Sequence, residues 1–127
     1  LSYSTAISIE KLSVSIRVEE RLLKQVRQLD LPDHPKYHFE VVPLDDQQTT
    51  QLQLAILSLD QLAIENFLRL EEWRKQRDSI IDVLVVTEQE DDRLAEALSR
   101  GATDYVMVTH VDQEVEEWIT EWIMQIP

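Results

Sequence analysis

Three stretches of the chain are apolar over the length of a strand. They are residues 52–59, 80–87 and 105–108, and in each the apolar run is nearly continuous. Runs of this kind are typical of central parallel strands, because such strands are covered on both faces. Residues 37–42 are rich in aromatic and β-branched side chains, so they predict a further strand that ends before Pro43.

Apolar side chains recur at helical spacing between and after these strands. The spacing predicts helices over residues 63–74 and 90–100. Gly101 follows the second helix at the position where a C-terminal residue in the left-handed conformation commonly ends a helix. The last helix has the clearest signature, since its apolar residues fall at i, i+3, i+4, i+7, i+8 and i+11. These residues are Val115, Trp118, Ile119, Trp122, Ile123 and Ile126.

The first thirty residues have two interpretations. Residues 4–10 alternate and predict a first strand. Apolar residues then recur every three or four positions, which favours a core-facing helix that starts at Ser13. Residues 12–18 also alternate, so a strand there is the competing interpretation, but the unbroken apolar stripe favours the helix. The stripe consists of Val14, Val18, Leu22, Val26 and Leu29.

The order of strands and helices predicts one parallel sheet built from βαβ units. Only about ten residues separate the strand at 37–42 from the strand at 52–59, whereas a crossover helix with its loops needs about a dozen. We therefore expect an α/β fold of the flavodoxin-like type. It is a doubly wound five-stranded parallel sheet with helices on both faces, and its second helix is short or missing. Any functional site in such a fold lies at the carboxyl ends of the strands.

The charge of the chain excludes several kinds of partner. Among its 127 residues 12 are basic and 25 are acidic, which gives a net charge of −13. Such a surface repels phosphate backbones and anionic membranes, so we expect neither direct nucleic-acid binding nor membrane binding. The acids either solvate the helix faces or steer the domain toward a basic partner.

Two residue types are too scarce for some chemistries. Without cysteine the chain has no disulfide, thiol nucleophile or thiolate metal site, and a cytoplasmic location fits. A single glycine cannot build a phosphate-binding loop of the Walker or dinucleotide type. The three histidines, His34, His38 and His110, lack the helical spacing of metal ligands. We therefore expect no metal and no cofactor.

The last third of the chain resembles a response-regulator receiver domain. Thr87 ends a buried strand, a helix follows, and Gly-Ala-Thr-Asp-Tyr at residues 101–105 leads into the last strand. The corresponding signature of the receiver (CheY-like) superfamily is Gly-Ala-x-Asp-Tyr-x-x-Lys-Pro. Its lysine falls on Val108 and its proline falls on Thr109. The order of elements matches over nearly the whole chain, and the match is specific over residues 80–109.

The resemblance implies a phosphorylation site whose chemistry this chain lacks. In receivers an acidic pair after the first strand holds magnesium, and an aspartate that ends the third strand accepts the phosphoryl group. A Thr or Ser ends the fourth strand and a lysine ends the fifth. The corresponding positions here are Glu10, Ser58, Thr87 and Val108. Glu10 beside a lysine is a poor magnesium site, Ser58 cannot form an acyl phosphate, and Val108 has no ammonium group. The resemblance therefore implies a pseudo-receiver that has no catalytic residue and is not an enzyme.

Three alternatives remain open at this site. A shifted register makes Asp60 the phosphoacceptor, because it has the same side-chain parity as Ser58. Thr87 and Tyr105 match the switch residues of the family, although ordinary packing also explains both. The acids at residues 88–92 favour the helix macrodipole, and weak calcium or magnesium binding is the other interpretation.

The resemblance implies a protein–protein interaction or regulatory module in a signalling or transcription-control protein. The chain starts at Leu1, which favours a single domain (residues 1–127) cut from a larger protein. Receiver-like domains commonly dock through their last two helices and last strand, so we expect a protein partner to bind there. The alternative is that these residues are ordinary hydrated surface residues. The alternatives are a phosphorylatable receiver that uses Asp60 and a structural domain that dimerises, with the last helix and strand as the self-association face. The candidate contacts are Arg93, Glu96, Arg100, Met107, His110 and Met124.

Overall fold

The structure is a computed structural model that describes residues 11–46, 52–59, 63–75 and 82–125. Within these ranges the structure has five strands and four α-helices. The strands are β1 (Leu12–Val18), β2 (Tyr37–Pro43), β3 (Leu52–Ser58), β4 (Asp82–Thr87) and β5 (Asp104–Met107). The helices are α1 (Glu20–Arg27), α2 (Ala63–Lys75), α3 (Asp92–Arg100) and α4 (Val111–Gln125), and a 3-10 turn (Val108–His110) precedes α4.

The five strands form one parallel sheet in the order β2-β1-β3-β4-β5. This is the flavodoxin-like order, in which the chain reverses its winding direction beside β1. Helices pack on both faces, and the described residues between β2 and β3 contain no helix. The predicted fold class is confirmed.

Two apolar cores lie on opposite faces of the sheet. The first packs alternate residues of the strands, such as Ile16 and Leu54, against α1 and α4. The second packs the other strand residues, such as Leu57 and Val85, against α2 and α3. Because both faces of β3 and β4 are buried, these two strands read as continuous apolar runs in the sequence.

The helix predicted from Ser13 is wrong in its first half, because residues 12–18 form β1 and α1 begins only at Glu20. The error has a geometric cause. Val14 and Val18 are four residues apart, and a spacing of four keeps side chains on one face of a strand as well as on one face of a helix. The apolar stripe therefore continues from a strand into the next helix. The strand predicted over residues 4–10 lies outside the described residues.

The second face of β1 is polar, which is unusual for a central strand. Arg17 is buried there, and its Nε donates to Gln53 Oε1 at 2.7 Å. Its Nη1 donates to the carbonyl oxygens of Leu44 at 3.0 Å and Asp46 at 2.7 Å. A buried guanidinium is stable only with such partners. Arg17 therefore holds the residues that follow β2 beside this face of the sheet.

The ends of α3 match the sequence signals closely. Asp91 is the N-cap, and its side chain accepts hydrogen bonds from the backbone N–H groups of Arg93 and Leu94. Gly101 closes the helix with φ +125°, a backbone conformation that residues with a Cβ atom rarely adopt. In α2, by contrast, Ile64 lies at helical spacing from the inward-facing Phe67 and is nevertheless 76% exposed.

Candidate functional site

The residue that follows β1 at the carboxyl edge of the sheet is Glu19, which corrects the assignment of Glu10 to this position. Glu10 precedes β1 and lies outside the described residues. Glu20 comes next, so an acidic pair does follow the first strand. The expectation of a lone glutamate beside a lysine is therefore wrong, and it failed because the first strand was placed too early.

Glu19 is a buried carboxylate with hydrogen bonds to both of its oxygens. Its side chain is only slightly exposed, and Oε2 accepts from the backbone N–H of Ser58 at 2.6 Å. Oε1 accepts from Arg21 Nη2 at 3.2 Å. The backbone N–H of Glu19 donates to the carbonyl oxygen of Ile56 at 3.1 Å. Glu19 thus joins the end of β1 to the end of β3.

Asn66 completes this buried network from α2. It is 0% exposed, and its Nδ2 donates to the carbonyl oxygen of Ser58 at 2.5 Å and to Glu19 Oε2 at 3.5 Å. Its Oδ1 accepts from Arg69 Nη1 at 2.7 Å. Asn66 was not predicted from the sequence. The signal was a polar side chain next to the apolar stripe of α2, immediately before the inward-facing Phe67.

An open cleft of about 560 Å³ lies beside the network. Glu19 forms part of its wall, so the buried carboxylate borders the cleft while its oxygens are engaged with protein donors. Four carboxylates and one guanidinium line the cleft, so an incoming phosphoryl group meets a net negative charge. The lining residues are Glu19, Glu20, Leu23, Pro43, Leu44, Asp45, Glu65 and Arg69.

The two hydroxyl positions of the expected site are also buried. Ser58 ends β3, and its backbone N–H and carbonyl group are both bonded to the network. Thr87 ends β4, where its Oγ1 donates to the carbonyl oxygen of Gln89 at 2.7 Å and accepts from the N–H of Gln89 at 3.3 Å. Thr87 therefore shapes the turn after β4. Asp60 lies outside the described residues.

Beyond β5, the expected lysine position holds an apolar side chain. Val108 lies in the 3-10 turn rather than in the strand, and it is 42% exposed. Tyr105, which the resemblance matched to a switch residue, donates its hydroxyl to Glu90 Oε1 at 2.6 Å. This hydrogen bond and the negative charge of Glu90 raise the pKa of Tyr105 above its ordinary value.

The candidate partner surface is divided between two parts of the molecule. Arg100 turns toward α2, where it pairs with Glu71 at 2.6 Å and lies 5.2 Å from the ring centre of Phe67. Glu96 also pairs with Arg100, at 2.6 Å. Arg93 is bonded to Asp91 at the start of α3. The other three residues lie on the β5 and α4 side, where Met124 is 80% exposed. They are Met107, His110 and Met124.

Among the acids after β4, Asp91 caps α3, and two of the three histidines have local contacts. Hydrogen bonds from Arg93 and Leu94 lower the pKa of Asp91 below its ordinary value, although desolvation, the largest single influence, acts in the opposite direction. His34 Nδ1 accepts from the N–H of Lys36 at 3.0 Å, His38 is exposed, and His110 Nδ1 lies 3.1 Å from Thr109 Oγ1. Among the described residues, no three acids or histidines converge as metal ligands would.

Comparisons with protein-family models, curated proteins and solved structures each returned no match for this chain. None of the helices in the described ranges combines the length and the apolar character needed to cross a bilayer.

Proposed function

We propose that this domain is a non-phosphorylatable pseudo-receiver that acts as a protein–protein interaction module in a signalling or transcription-control protein. The observation that carries the proposal is the hydrogen-bond network among Glu19, Ser58 and Asn66. In a receiver, the carboxylate after β1 binds the metal ion, and the aspartate that ends β3 accepts the phosphoryl group. Here the first is bonded to backbone and side-chain donors, and Ser58 takes the place of the second.

Charge at the same edge supports the proposal. Phosphoryl transfer to a carboxylate needs positive charge that neutralises the transferred group. Carboxylates outnumber the guanidinium in the cleft, and Val108 stands where the family has a lysine. A domain without this chemistry still has a folded surface that can bind a partner protein. A cytoplasmic location remains our expectation from the absence of cysteine.

The test is incubation with acetyl phosphate and Mg²⁺, followed by intact-mass measurement under conditions that preserve acyl phosphates. We expect an unmodified mass, and a phosphorylatable receiver treated in parallel supplies the positive control. An acid-labile phosphoryl adduct that approaches one per chain would overturn the proposal.

One observation favours a second candidate, an atypical receiver that uses Asp60. Glu19 and Glu20 supply an acidic pair after the first strand, where the sequence analysis expected none. Glu20 is exposed and is therefore accessible to a metal ion. The variant Asp60→Asn separates the two candidates, because it abolishes an adduct on Asp60 and changes nothing if the chain is not phosphorylated.

A further inference from the structure

The sheet ends at β2, whose outer side has no partner strand among the described residues. β2 is seven residues long and pairs there only with β1. The strand at the opposite end of the sheet, β5, is only four residues long. A short outermost strand limits strand addition, whereas a long bare one invites it. β2 is therefore the end of the sheet that is suited to accept a further strand.

The hydrogen-bond pattern shows which backbone groups of β2 face outward. The N–H of Leu12 donates to the carbonyl oxygen of Lys36 at 2.8 Å, so the even-numbered residues of β2 turn their backbone groups toward β1. Because successive residues of a strand alternate, the odd-numbered residues turn theirs away from the sheet. The open side of β2 thus consists of the N–H and carbonyl groups of Tyr37, Phe39 and Val41. No described residue bonds to these three N–H groups.

Aromatic contacts already hold β2 in place. The ring centres of Tyr37 and Phe39 lie 5.9 Å and 6.2 Å from that of Trp122 on α4. Trp122 is buried, so both rings are anchored to the core. Phe39 and Val41 are nevertheless only half-buried. A further strand beside them would bury more of their apolar surface, and an ordered strand loses little entropy when it associates.

The opposite face of β2 carries the side chains that select the added strand. His38 and Glu40 are two positions apart, so they share this face, and both are exposed. Within the described part of the chain, no helix lies between β2 and β3 to cover them. Glu40 is the only acid of the strand, which has no lysine or arginine. An added strand must therefore place a hydrogen-bond donor, and not a second acid, opposite Glu40.

A second copy of β2 meets these requirements when it runs antiparallel. With a two-fold axis at Phe39, this residue lies opposite itself and Tyr37 lies opposite Val41 of the second copy. All three have outward backbone groups, so each of these pairs exchanges two hydrogen bonds. His38 then lies opposite Glu40 of the second copy, at a pair where side chains approach most closely. Since an imidazole N–H donates to a carboxylate, the strand is complementary to itself.

The two neighbouring antiparallel registers are less favourable. An axis at Glu40 places two carboxylates opposite each other and sets Tyr37 against Pro43. An axis at His38 sets Val41 against Pro35. Both prolines lack the N–H that the outward carbonyl groups need. The axis at Phe39 pairs the three open residues with one another and keeps the acids apart.

We propose that two copies of the chain associate through β2, antiparallel about Phe39, and join their sheets into one continuous sheet. The proposal is independent of the proposed function, because the network among Glu19, Ser58 and Asn66 takes no part in the pairing. Strand pairing of this extent buries less area than a standard protein–protein interface. We therefore expect a dissociation constant in the range of about 10–100 μM.

The first test is sedimentation equilibrium of the chain from about 2 to 500 μM, a range that brackets this constant. The net charge of −13 opposes association, so the measurement is made at physiological ionic strength, where charges are screened beyond about 8 Å. We expect the weight-average mass to rise from that of one copy toward that of two. The mass of a single copy at every concentration would overturn the proposal.

An exchange of side chains tests whether His38 and Glu40 meet. His38→Glu places carboxylates opposite each other at both symmetric pairs and should weaken association by about tenfold. His38→Glu/Glu40→His exchanges the two side chains and should restore association to within about threefold of wild type. Gln113→Glu makes the same change of net charge at an exposed position on α4 and should weaken association by less than about threefold.

Circular dichroism confirms the fold of each variant, and all three substituted positions are exposed. Equal weakening by His38→Glu and Gln113→Glu would overturn the proposal, because it would assign the effect to overall charge. Association that the exchanged variant fails to restore would overturn it as well, since His38 and Glu40 would then not lie opposite each other. Neither result bears on the phosphodonor experiment, which measures covalent modification of each copy.

Disulfide trapping tests the register directly. The chain has no cysteine, so introduced thiols are the only ones present. Opposed residues of a pair without hydrogen bonds lie about 4.5 Å apart at Cα, within the span of a disulfide. In an oxidised mixture of the variants His38→Cys and Glu40→Cys, we expect the mixed disulfide to exceed both symmetric ones. Predominance of a symmetric disulfide would overturn the pairing about Phe39.

Discussion

Carboxylates at the carboxyl edge of the sheet and carboxylates in the trough between β5 and α4, which Glu117 and Glu121 line, have opposite environments. Glu19 at the edge is buried and accepts hydrogen bonds from Ser58 and Arg21. Glu117 and Glu121 in the trough are exposed and have no cationic partner among the described residues. The same residue type therefore stabilises the fold in one place and only contributes surface charge in the other. Which of the two roles a carboxylate has depends on the hydrogen-bond donors around it.

The largest expected effect comes from removing the buried carboxylate. Glu19→Ala should lower the free energy of unfolding by about 3 kcal/mol, because it leaves the Ser58 N–H without its acceptor. Glu19→Gln keeps an acceptor oxygen and should cost about 1 kcal/mol. Urea unfolding followed by circular dichroism measures both, with the exposed neighbour Glu20→Ala as the matched control. A similar small loss in all three variants would remove the distinction between edge and trough.

Asn66→Ala should have the next largest effect, about 2 kcal/mol, since Asn66 is buried and donates to the carbonyl oxygen of Ser58. Glu19 and Asn66 bind the same residue, so their effects should not add. The double variant Glu19→Ala/Asn66→Ala should be more stable than the sum of the single losses predicts, by about 0.5 kcal/mol or more. Strict additivity in urea unfolding would mean that the two side chains act separately.

A smaller effect that depends on pH is expected at Asp91, the N-cap of α3. Its pKa in the folded state is below the ordinary value of 3.8. Its charge therefore stabilises the fold above that pH, and this contribution is lost as the pH falls through the lowered pKa. Asparagine caps a helix about as well as aspartate, so wild type should exceed Asp91→Asn in thermal stability near neutral pH only. A constant difference on acidification would contradict the assignment.

The smallest effect on stability should come from neutralising the trough. Glu117→Gln/Glu121→Gln should change the free energy of unfolding by less than about 0.5 kcal/mol. Any change should be a gain, and the gain should be larger at low ionic strength because the two acids repel each other. Thermal unfolding at two salt concentrations measures it. A loss as large as that of Glu19→Ala would mean that the trough carboxylates are structural.

Much of the fold could be predicted because its central strands are apolar runs of strand length. β3 and β4 are apolar on both faces, and α4 keeps an apolar stripe over three turns. β1 was misassigned because its second face carries Ser15 and Arg17, so the strand lacks a continuous apolar run. That error moved the expected acidic position from Glu19 to Glu10.

The candidate site was less predictable, because its interactions join residues far apart in sequence. Asn66 bonds the carbonyl group of Ser58 across two elements, and no local pattern marks such a pair. Arg100 was expected to face a partner, but it contacts Glu71 and Phe67 on α2. The sequence shows that Arg100 is polar and near the end of a helix. It does not show which helix packs beside it.

Gly101, the helix cap with φ +125°, has a consequence for the denatured chain. None of the described residues other than this glycine has a positive φ, so the described turns are built from backbone conformations open to every residue type. With one glycine in 127 residues, the denatured ensemble is restricted by side chains almost everywhere. Folding therefore surrenders less backbone entropy per residue than in a glycine-rich domain of equal length.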